Sequence, residues 1–302
     1  MSVRPTPKIL CAGIVGHDIV MRVERFPAPG EKASASELVF NSGGCAANAA
    51  VAVARLGGRA AFAGPLGPAA DAASNRALAR LAAEGVDCSG ILHSDAATIP
   101  ISLILIDADG EKIIATRRGF ELDALTPQDA RSVTADADAV LVDNQLASFV
   151  TPIAQAARER KIPVIIDFDR IASVDDALFK LGTHVIASSE ALRGSAGTDD
   201  LGQALQIMAK RCTGLLAVTD GPKGVYWLDD GKLQHLPAFA ITTVDTLAAG
   251  DVFHAGFTLA HAEGRDLTDA LRFASAAAAI KCTRFGGAVA TPNRAEVDAF
   301  LK

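Results

Sequence analysis

The stretch VDTLAAGDVF, residues 244–253, says more about the fold and chemistry of this chain than any other. A run of small residues ends in the carboxylate of Asp251, and a long apolar helical pattern begins directly after it. Ala248, Ala249 and Gly250 carry no side chain that could cover their backbone N–H groups. Open amides at a helix N-terminus favour a bound phosphate. At the edge of this anion site, Asp251 is placed to accept a proton from a hydroxyl that attacks the phosphate. The alternative is a turn of small residues in which Asp251 only caps the helix.

A second segment, NSGGCAANAAVAVARLGG at residues 41–58, places two glycines before an alanine-rich helix. Gly43 and Gly44 allow backbone amides to approach a ligand closely, and Asn48 on the first turn can both donate and accept hydrogen bonds. A helix N-cap loop would by itself explain the glycines nearly as well. The combination with the Asp251 segment favours a substrate site.

Together these two segments resemble the paired signatures of the PfkB/ribokinase family of ATP-dependent carbohydrate kinases, in the family's order and spacing. The resemblance covers essentially the whole chain. It implies a ribokinase-like α/β fold, with a central, mostly parallel sheet, helices on both faces and a small β lid. It also implies transfer of the γ-phosphoryl group of Mg-ATP to a hydroxyl of a small sugar, a ketohexose or a related one. The segment at residues 271–287 resembles the branch that holds ketohexokinases and sulfofructose kinases.

The composition excludes several other classes of protein. The 302 residues carry a net charge of −6, which leaves no basic surface for a general nucleic-acid binder. Five scattered cysteines without a C-x-x-C pair are typical of a reducing compartment. No apolar run approaches the ~20 residues of a membrane span, and no apolar signal core follows the first residues. We therefore expect a cytoplasmic protein that binds neither membranes nor nucleic acid.

Apolar runs alternate with helix-length segments along the middle of the chain, which predicts a parallel sheet covered on both faces. The strand-like runs are residues 8–15, 139–142, 164–167, 184–187 and 215–219. We predict one α/β domain over residues 1–302. Two hairpin-like regions, about residues 18–40 and 98–118, project from it, and in the family such hairpins form a lid over the sugar. A homodimer through this lid is compatible with the sequence but not required by it.

The resemblance assigns the acceptor site to Asp18, Gly43, Gly44 and Asn48, with Asp18 accepting hydrogen bonds from sugar hydroxyls. Gln145 stands where sulfofructose kinases place an arginine for the sulfonate, which argues against that substrate.

Near the end of the second hairpin, Arg117 and Arg118 loosely resemble the arginine of 2-keto-3-deoxygluconate kinases. They could hold a carboxylate, or they could be a solvated strand end.

A glycine-containing loop after an apolar strand, TDGPKG at residues 219–224, resembles the family's nucleotide loop. It is not a Walker A loop, and no G-x-G-x-x-G follows the first strand, which disfavours a dinucleotide dehydrogenase. A simple turn between strands is the alternative. The residues that the resemblance assigns to ATP are Ser188, Thr219, Asp220, Gly221, Lys223, Gly224 and Ser275.

Two ions are implied by the resemblance. Mg²⁺ would arrive with ATP, although the family's N-x-x-E motif appears here as residues 187–190 without its Asn, so whether Glu190 compensates stays open. A K⁺ site would draw on six residues, and because some relatives lack this ion its presence also stays open. These six are Asp245, Leu247, Cys282, Phe285, Gly287 and Thr291.

The family's Gly-Ala-Gly-Asp is Ala248–Asp251 here, a change that is tolerable if Ala248 needs no positive φ.

We therefore expect a sugar kinase in which Asp251 is the base. A 2-keto-3-deoxy sugar-acid kinase or a nucleoside kinase would use the same fold. A nucleoside base favours an aromatic stack, and the only Trp and Tyr, Trp227 and Tyr226, are expected far from the lid. A non-catalytic sugar- or nucleotide-sensing module would predict a damaged base or anion site, and both are intact.

Overall fold

A computed structural model describes residues 5–302. Within these residues the strands are, in chain order, β1 (Lys8–Ala12), β2 (Gly16–Arg22), β3 (Glu37–Gly43), β4 (Arg59–Leu66), β5 (Asp87–His93), β6 (Ile101–Ile106), β7 (Lys112–Arg117), β8 (Ala139–Asp143), β9 (Val164–Phe168), β10 (His184–Ser188), β11 (Leu215–Thr219), β12 (Val225–Asp229) and β13 (Lys232–Leu236). The helices are α1 (Cys45–Arg55), α2 (Ala72–Ala83), α3 (Ala130–Val133), α4 (Ala147–Glu159), α5 (Leu178–Leu181), α6 (Ser189–Ala196), α7 (Leu201–Ala209), α8 (Ala249–Ala262), α9 (Leu267–Cys282) and α10 (Arg294–Phe300).

The central sheet has nine strands in the order β13-β12-β11-β10-β9-β8-β1-β4-β5. Pairing is parallel from β5 to β11, and β12 and β13 add an antiparallel edge. The inner strands are continuous apolar runs because both of their faces are buried, which confirms the predicted fold class. The sequence did not predict β5, an edge strand whose DCSGILH sequence has no such run.

Helices cover both faces of this sheet. Alternate residues of β1 enter opposite cores: Ile9 and Cys11 pack with α1, α8 and α9, whereas Leu10 and Ala12 pack with α4 and α7. Small residues let α8 and α9 approach closely, since a side chain at Gly256 would lie 3.1 Å from the Cα of Ala274. This packing holds the N-terminus of α8 at one edge of the sheet. No helix in residues 5–302 is long and apolar enough to cross a membrane.

The two predicted hairpin regions join into a second sheet of four strands, β3-β2-β6-β7. Strand β2 pairs antiparallel with β3 and parallel with β6, and β6 pairs antiparallel with β7. On its inner face, Val20, Ile104 and Ile106 are buried against Leu247, which precedes α8. Its outer face carries apolar side chains that are about half exposed: Leu38 (51%), Phe40 (44%), Leu103 (55%) and Ile113 (51%).

Candidate active site

Carboxyl groups converge at the edge where parallel strands end, the usual position of ligand sites in such sheets. Asp143 ends β8, and Asp167 lies near the end of β9. Asp251 is on the first turn of α8. The glycine pair before α1 faces the same region, because Asn48 of α1 contacts Asp251.

The turn before α8 presents free amides. The N–H of Ala249 donates to the Thr246 carbonyl at 3.3 Å, so it is engaged within the turn, contrary to expectation. The N–H groups of Ala248, Gly250 and Asp251 donate to no other residue within 5–302. Two of the three expected amides, those of Ala248 and Gly250, are therefore free, and Asp251 adds a third. Free donors at a helix N-terminus favour a bound anion.

Ala248 adopts a left-handed conformation, with φ 62° and ψ 14°. The condition on which an alanine was expected to be tolerable here, that no positive φ is needed, is therefore not met. A left-handed L-residue costs about 1–2 kcal/mol, because its Cβ crowds the following carbonyl oxygen. The strain lies directly beside the free amides, where strained backbone is commonly found in functional sites.

Asp251 has the properties of a general base. Burial raises its pKa to about 7, the nearby charge of Asp167 adds to the rise, and a hydrogen bond from Asn48 opposes it. Asn48 Nδ2 donates to Asp251 Oδ2 at 2.7 Å. The structure therefore brings Asn48, predicted to bind substrate, against the carboxylate predicted to be the base. A pKa near neutrality suits a base that must accept a proton at physiological pH.

Asp167 and Cys45 were missed in the sequence. Their ligand atoms and a carboxylate oxygen of Asp251 all lie within 4.8 Å of one another. Burial raises the pKa of Asp167 well above its usual range, and the charges of neighbouring aspartates add to this. Burial likewise raises the pKa of the Cys45 thiol, so it stays protonated. The DFD sequence at residues 167–169, directly at the end of an apolar strand, was the signal that could have revealed Asp167.

His254 ties this cluster to the first turn of α8. Its Nδ1 lies 2.7 Å from the Gly250 carbonyl, and its Nε2 lies 3.1 Å from the Ile186 carbonyl and 3.4 Å from Asp167 Oδ1. Burial lowers the pKa of His254, against the carbonyls and carboxylates that favour the charged ring. The imidazole thus connects α8 with the ends of β9 and β10.

On the lid side, Asp18 lies in one row with Asn41, Ser102 and Thr116 across the four strands. Burial raises the pKa of Asp18 to about 6, and the Ser102 hydroxyl opposes the rise by hydrogen bonding. Asn41 Nδ2 donates to the Gly286 carbonyl at 2.9 Å, while its buried Oδ1 has no partner among the described residues. The row therefore offers hydrogen-bonding groups that are buried at Asp18 and Asn41 and become exposed at Thr116.

Close packing requires both glycines before α1. A side chain at Gly43 would overlap the Asp18 carboxylate. At Gly44, with φ 92°, a Cβ would lie 2.5 Å from the Ile14 carbonyl oxygen. The pair thus lets β3 and the start of α1 approach the lid carboxylate and the loop after β1.

Asp143, another residue that was missed in the sequence, holds the loop after β1 in place through hydrogen bonds. Its carboxylate accepts from the N–H groups of Ile14 at 2.8 Å, Ala46 at 3.1 Å and Gln145 at 3.0 Å. Burial raises its pKa to about 6, against these three hydrogen bonds. It joins the end of β8 to the loop after β1 and to the N-terminus of α1.

The structure brings Arg118, rather than Arg117, to Gln145. Arg118 Nη2 donates to the Gln145 carbonyl at 2.8 Å, and Arg170 Nη1 is 3.4 Å from the same oxygen. Arg118 also pairs with Asp123 at 2.7 Å. Arg117 is exposed at the end of β7, where its guanidinium contacts Thr98, as the solvated strand-end alternative predicts.

The predicted nucleotide residues lie at the ends of two neighbouring strands, in the loop that follows the second of these strands, and on α9. Ser188 and Thr219 are register partners at the ends of β10 and β11, with Ser188 Oγ capping α6. A single 3₁₀ turn, Gly221–Lys223, follows Asp220 and leads to Gly224 before β12. The Asp220 carboxylate is 3.2 Å from Lys223 Nζ and 3.6 Å from Arg193 Nη2, while the Lys223 side chain is 65% exposed. The remaining predicted residue, Ser275, is half-buried on α9, and Glu190 is exposed on the first turn of α6.

The structure brings the predicted K⁺ ligands together, but it also places a lysine that was not predicted beside them. Lys281 is fully buried, and its Nζ lies 2.8 Å from the Asp245 carbonyl and 3.1 Å from Asp245 Oδ2. Burial lowers the pKa of Lys281, and the Asp245 carboxylate opposes this. The sequence signal was a single lysine in the otherwise apolar ASAAAAIKC segment of α9, and we missed it.

Other members of the predicted K⁺ set are already engaged. The Cys282 carbonyl accepts from the N–H groups of Val244 at 2.8 Å and Asp245 at 3.1 Å. Thr291 Oγ1 donates to the Ala288 carbonyl at 2.6 Å. A metal cation bound to Asp245 would face the ammonium group of Lys281, so this donor set does not fit the ion.

Comparison with known proteins gives the family. The model of the pfkB family carbohydrate kinases matches residues 6–294. The chain belongs to this family. A Haemophilus influenzae ribokinase is 28% identical over 298 residues, covering 96% of this chain and 97% of the relative. An ATP-dependent ribose-1-phosphate kinase of Halopiger xanaduensis is 30% identical, covering 97% of this chain and 98% of the relative.

Solved structures agree. A crystal structure from Agrobacterium tumefaciens, provisionally assigned as a ribokinase, matches with a TM-score of 0.92 and 34% identity over 98% of both chains. Arabidopsis thaliana ribokinase complexed with ribose and ATP matches with a TM-score of 0.80 and 25% identity, covering 98% of this chain and 99% of that one. The family, the ribokinase-like fold and the activity class, an ATP-dependent carbohydrate kinase, are thereby confirmed. The ketohexokinase branch stays a prediction.

Proposed function

We propose that this kinase phosphorylates a hydroxyl of a neutral five- or six-carbon sugar, with Asp251 as the general base. The observation that carries the proposal is Asp251 itself: a carboxyl with a pKa of about 7, beside free amides at a helix N-terminus. The relatives named as ribokinases and fructokinases make ribose and fructose the first sugars to test.

The anion site serves the phosphoryl group of ATP. The free N–H groups of Gly250 and Asp251 would stabilise negative charge on the transferring group, and removing one such donor typically costs about 3–4 kcal/mol in the barrier. Asn48 holds the Asp251 carboxylate in place through its amide at 2.7 Å. Asp251 then accepts the proton of the attacking hydroxyl.

The inner face of the lid sheet forms the acceptor pocket. Asp18, Asn41, Ser102 and Thr116 offer acceptors and donors in a single row, which suits the several hydroxyls of a sugar. The unpartnered Oδ1 of Asn41 is available to a hydroxyl donor. Closure of the lid, with a sugar bound to this row, would exclude water that could otherwise hydrolyse ATP.

Mg²⁺ would enter on the phosphates of ATP, which are its main ligands. When bound, it neutralises charge on the phosphates. The chain offers Asp167 next to Asp251, and carboxylate oxygen is a donor that Mg²⁺ accepts. Glu190 on the first turn of α6 is the second candidate and would replace the family's missing Asn.

We also propose that the outer face of the lid sheet pairs with a second copy of the chain. The half-exposed Leu38, Phe40, Leu103 and Ile113 share this face, and a contiguous apolar patch of this kind marks an interaction site.

A cytoplasmic location suits such an enzyme, since ATP is available there and its five free cysteines would stay reduced.

An acidic or phosphorylated sugar is the second candidate acceptor. Arg118 and Arg170 both reach the Gln145 carbonyl, and the buried Nε of Arg118 has no partner within the described part of the chain. A carboxylate or phosphate would satisfy this donor. The salt bridge from Arg118 to Asp123 already neutralises part of the charge, which favours a neutral sugar.

An ADP-release screen tests both candidates. The panel comprises ribose, fructose, other ketoses, 2-keto-3-deoxygluconate, ribose 1-phosphate and nucleosides.

Asp251→Asn should bind ATP and sugar about normally and lose roughly 10²-fold or more in kcat, since it cannot accept the proton. Turnover of this variant near the wild-type rate would refute the role of Asp251. ATP binding by calorimetry without turnover on any acceptor would instead support a sensing module.

A further inference from the structure

Lys281 is a buried charge that the proposed chemistry does not use. It lies next to the end of α9, its side chain is 0% exposed, and its ammonium group contacts two oxygens of Asp245. A buried ammonium group is retained only where it is paired and hydrogen-bonded. Its position at the base of the turn before α8 indicates a role in ordering that turn.

Asp245 is the centre of this region. Its Oδ1 accepts from the N–H of Leu247 at 2.7 Å, and its Oδ2 accepts from the N–H groups of Gly286 and Gly287, both at 3.0 Å. The same Oδ2 pairs with Lys281 Nζ. The carboxylate therefore joins the segment before α8 to the loop after α9, and Lys281 provides its balancing charge.

The link to the anion site is short. Leu247, held by Asp245, is followed directly by Ala248, whose left-handed conformation starts the free-amide turn. Lys281 also bonds the Asp245 carbonyl, so both the main chain and the side chain of this residue are fixed. Any loss of the cation would loosen the residues that lead into the turn.

We propose that the ammonium group of Lys281 is a built-in cation, which orders the anion-binding turn so that this kinase needs no monovalent metal ion. Lys281 is a positioning residue that acts through Asp245. The proposal follows from the misfit of K⁺ described above, because one carboxylate would otherwise have to hold two adjacent cations. It rests on the proposed function only in that the turn is taken to bind phosphate.

The test compares the wild type with Lys281→Ala in buffers containing tetramethylammonium, Na⁺, K⁺ or NH₄⁺. Three quantities are measured: kcat and KM on the sugar found in the screen, ADP affinity by calorimetry, and the melting temperature. Lys210→Ala, which removes an exposed lysine after α7, is the matched control. Lys281→Met, which keeps the volume but not the charge, serves as a second variant if the alanine variant does not fold.

The wild type should change less than about twofold in any of these buffers. Lys281→Ala should lose about 10- to 100-fold in kcat/KM for ATP in tetramethylammonium, less than the roughly 10²- to 10³-fold cost of removing an oxyanion donor, because the amides stay in place but are less well ordered. K⁺ or NH₄⁺ should restore most of this loss by entering the vacated space, with a matching rise in melting temperature. The methionine variant should show the loss without the rescue, because its side chain fills that space.

Strong activation of the wild type by K⁺ would overturn the proposal, as would a Lys281→Ala variant whose turnover and melting temperature are independent of the cation. ADP affinity and melting temperature require no sugar. If no acceptor is phosphorylated, the proposed function fails, while these two measurements still decide the role of Lys281.

Discussion

Ala248 shows how a single residue can combine strain and function. Its left-handed backbone starts the turn in which the amides of Gly250 and Asp251 stay free among the described residues, and no side chain caps α8 at this point. Glycine would adopt the same conformation without the steric cost, although its extra freedom in the unfolded chain offsets part of the gain.

Replacing Ala248 with glycine should therefore raise the free energy of unfolding by up to about 1 kcal/mol and leave kcat within about twofold. Denaturant titration and steady-state kinetics would measure the two effects. Ala248→Val is the opposing variant and should be less stable, because a β-branched residue is poorly tolerated at positive φ. A glycine variant clearly less stable than the wild type would contradict the assigned backbone strain.

We expect the acid limb of the pH profile of kcat/KM to report the ionisation of Asp251. Burial and the charge of Asp167 raise its pKa to about 7, so kcat/KM should rise with pH through about 7 and level off above it, as the carboxylate becomes the dominant form. Asp167→Asn removes a group whose negative charge raises the pKa of Asp251, so the midpoint should move to lower pH.

Asp109→Asn, an exposed position in the turn between β6 and β7, is the control and should leave the midpoint unchanged. A midpoint that stays at the wild-type pH in Asp167→Asn would show that Asp167 does not raise the pKa of Asp251.

Among single residues, the sequence correctly predicted that Asp251 and the small residues before it lie at the start of a helix, because this position depends on local order along the chain. Asp143, Asp167 and Lys281 escaped prediction because their roles depend on partners that are distant in sequence. Lys281 meets Asp245 across 36 positions, and Asp143 meets Ile14 across 129. A lone lysine in an apolar helix gives no indication of which carboxylate it will face.

At the scale of elements, the long apolar strands and the amphipathic helices were predictable from periodicity alone. Edge strand β5 was not, since its half-buried residues lack both a continuous apolar run and a clean alternation. The two hairpin regions were predictable as separate pairs. Their union through the parallel contact of β2 with β6 was not, because no local signal records a pairing between segments so far apart.

For the whole molecule, the outer face of the lid sheet predicts the state of association. Leu103 is 55% exposed in the middle of this apolar face, and a charge placed there would be buried unpaired in a dimer. We expect the wild type to be a dimer by light scattering and Leu103→Asp to be a monomer. Leu233→Asp, at a similarly exposed leucine (52%) on β13, should remain a dimer. A monomeric wild type at micromolar concentration would refute this interface.

The contact of Leu247 with Val20 and Ile104 has a mechanical consequence. Leu247, the residue just before the strained alanine, is packed against the inner face of the lid sheet, so we expect a movement of the lid to reach the proposed phosphate site directly. If the lid closes only over a bound sugar, the phosphate site would be complete only then, and little ATP would be hydrolysed without an acceptor.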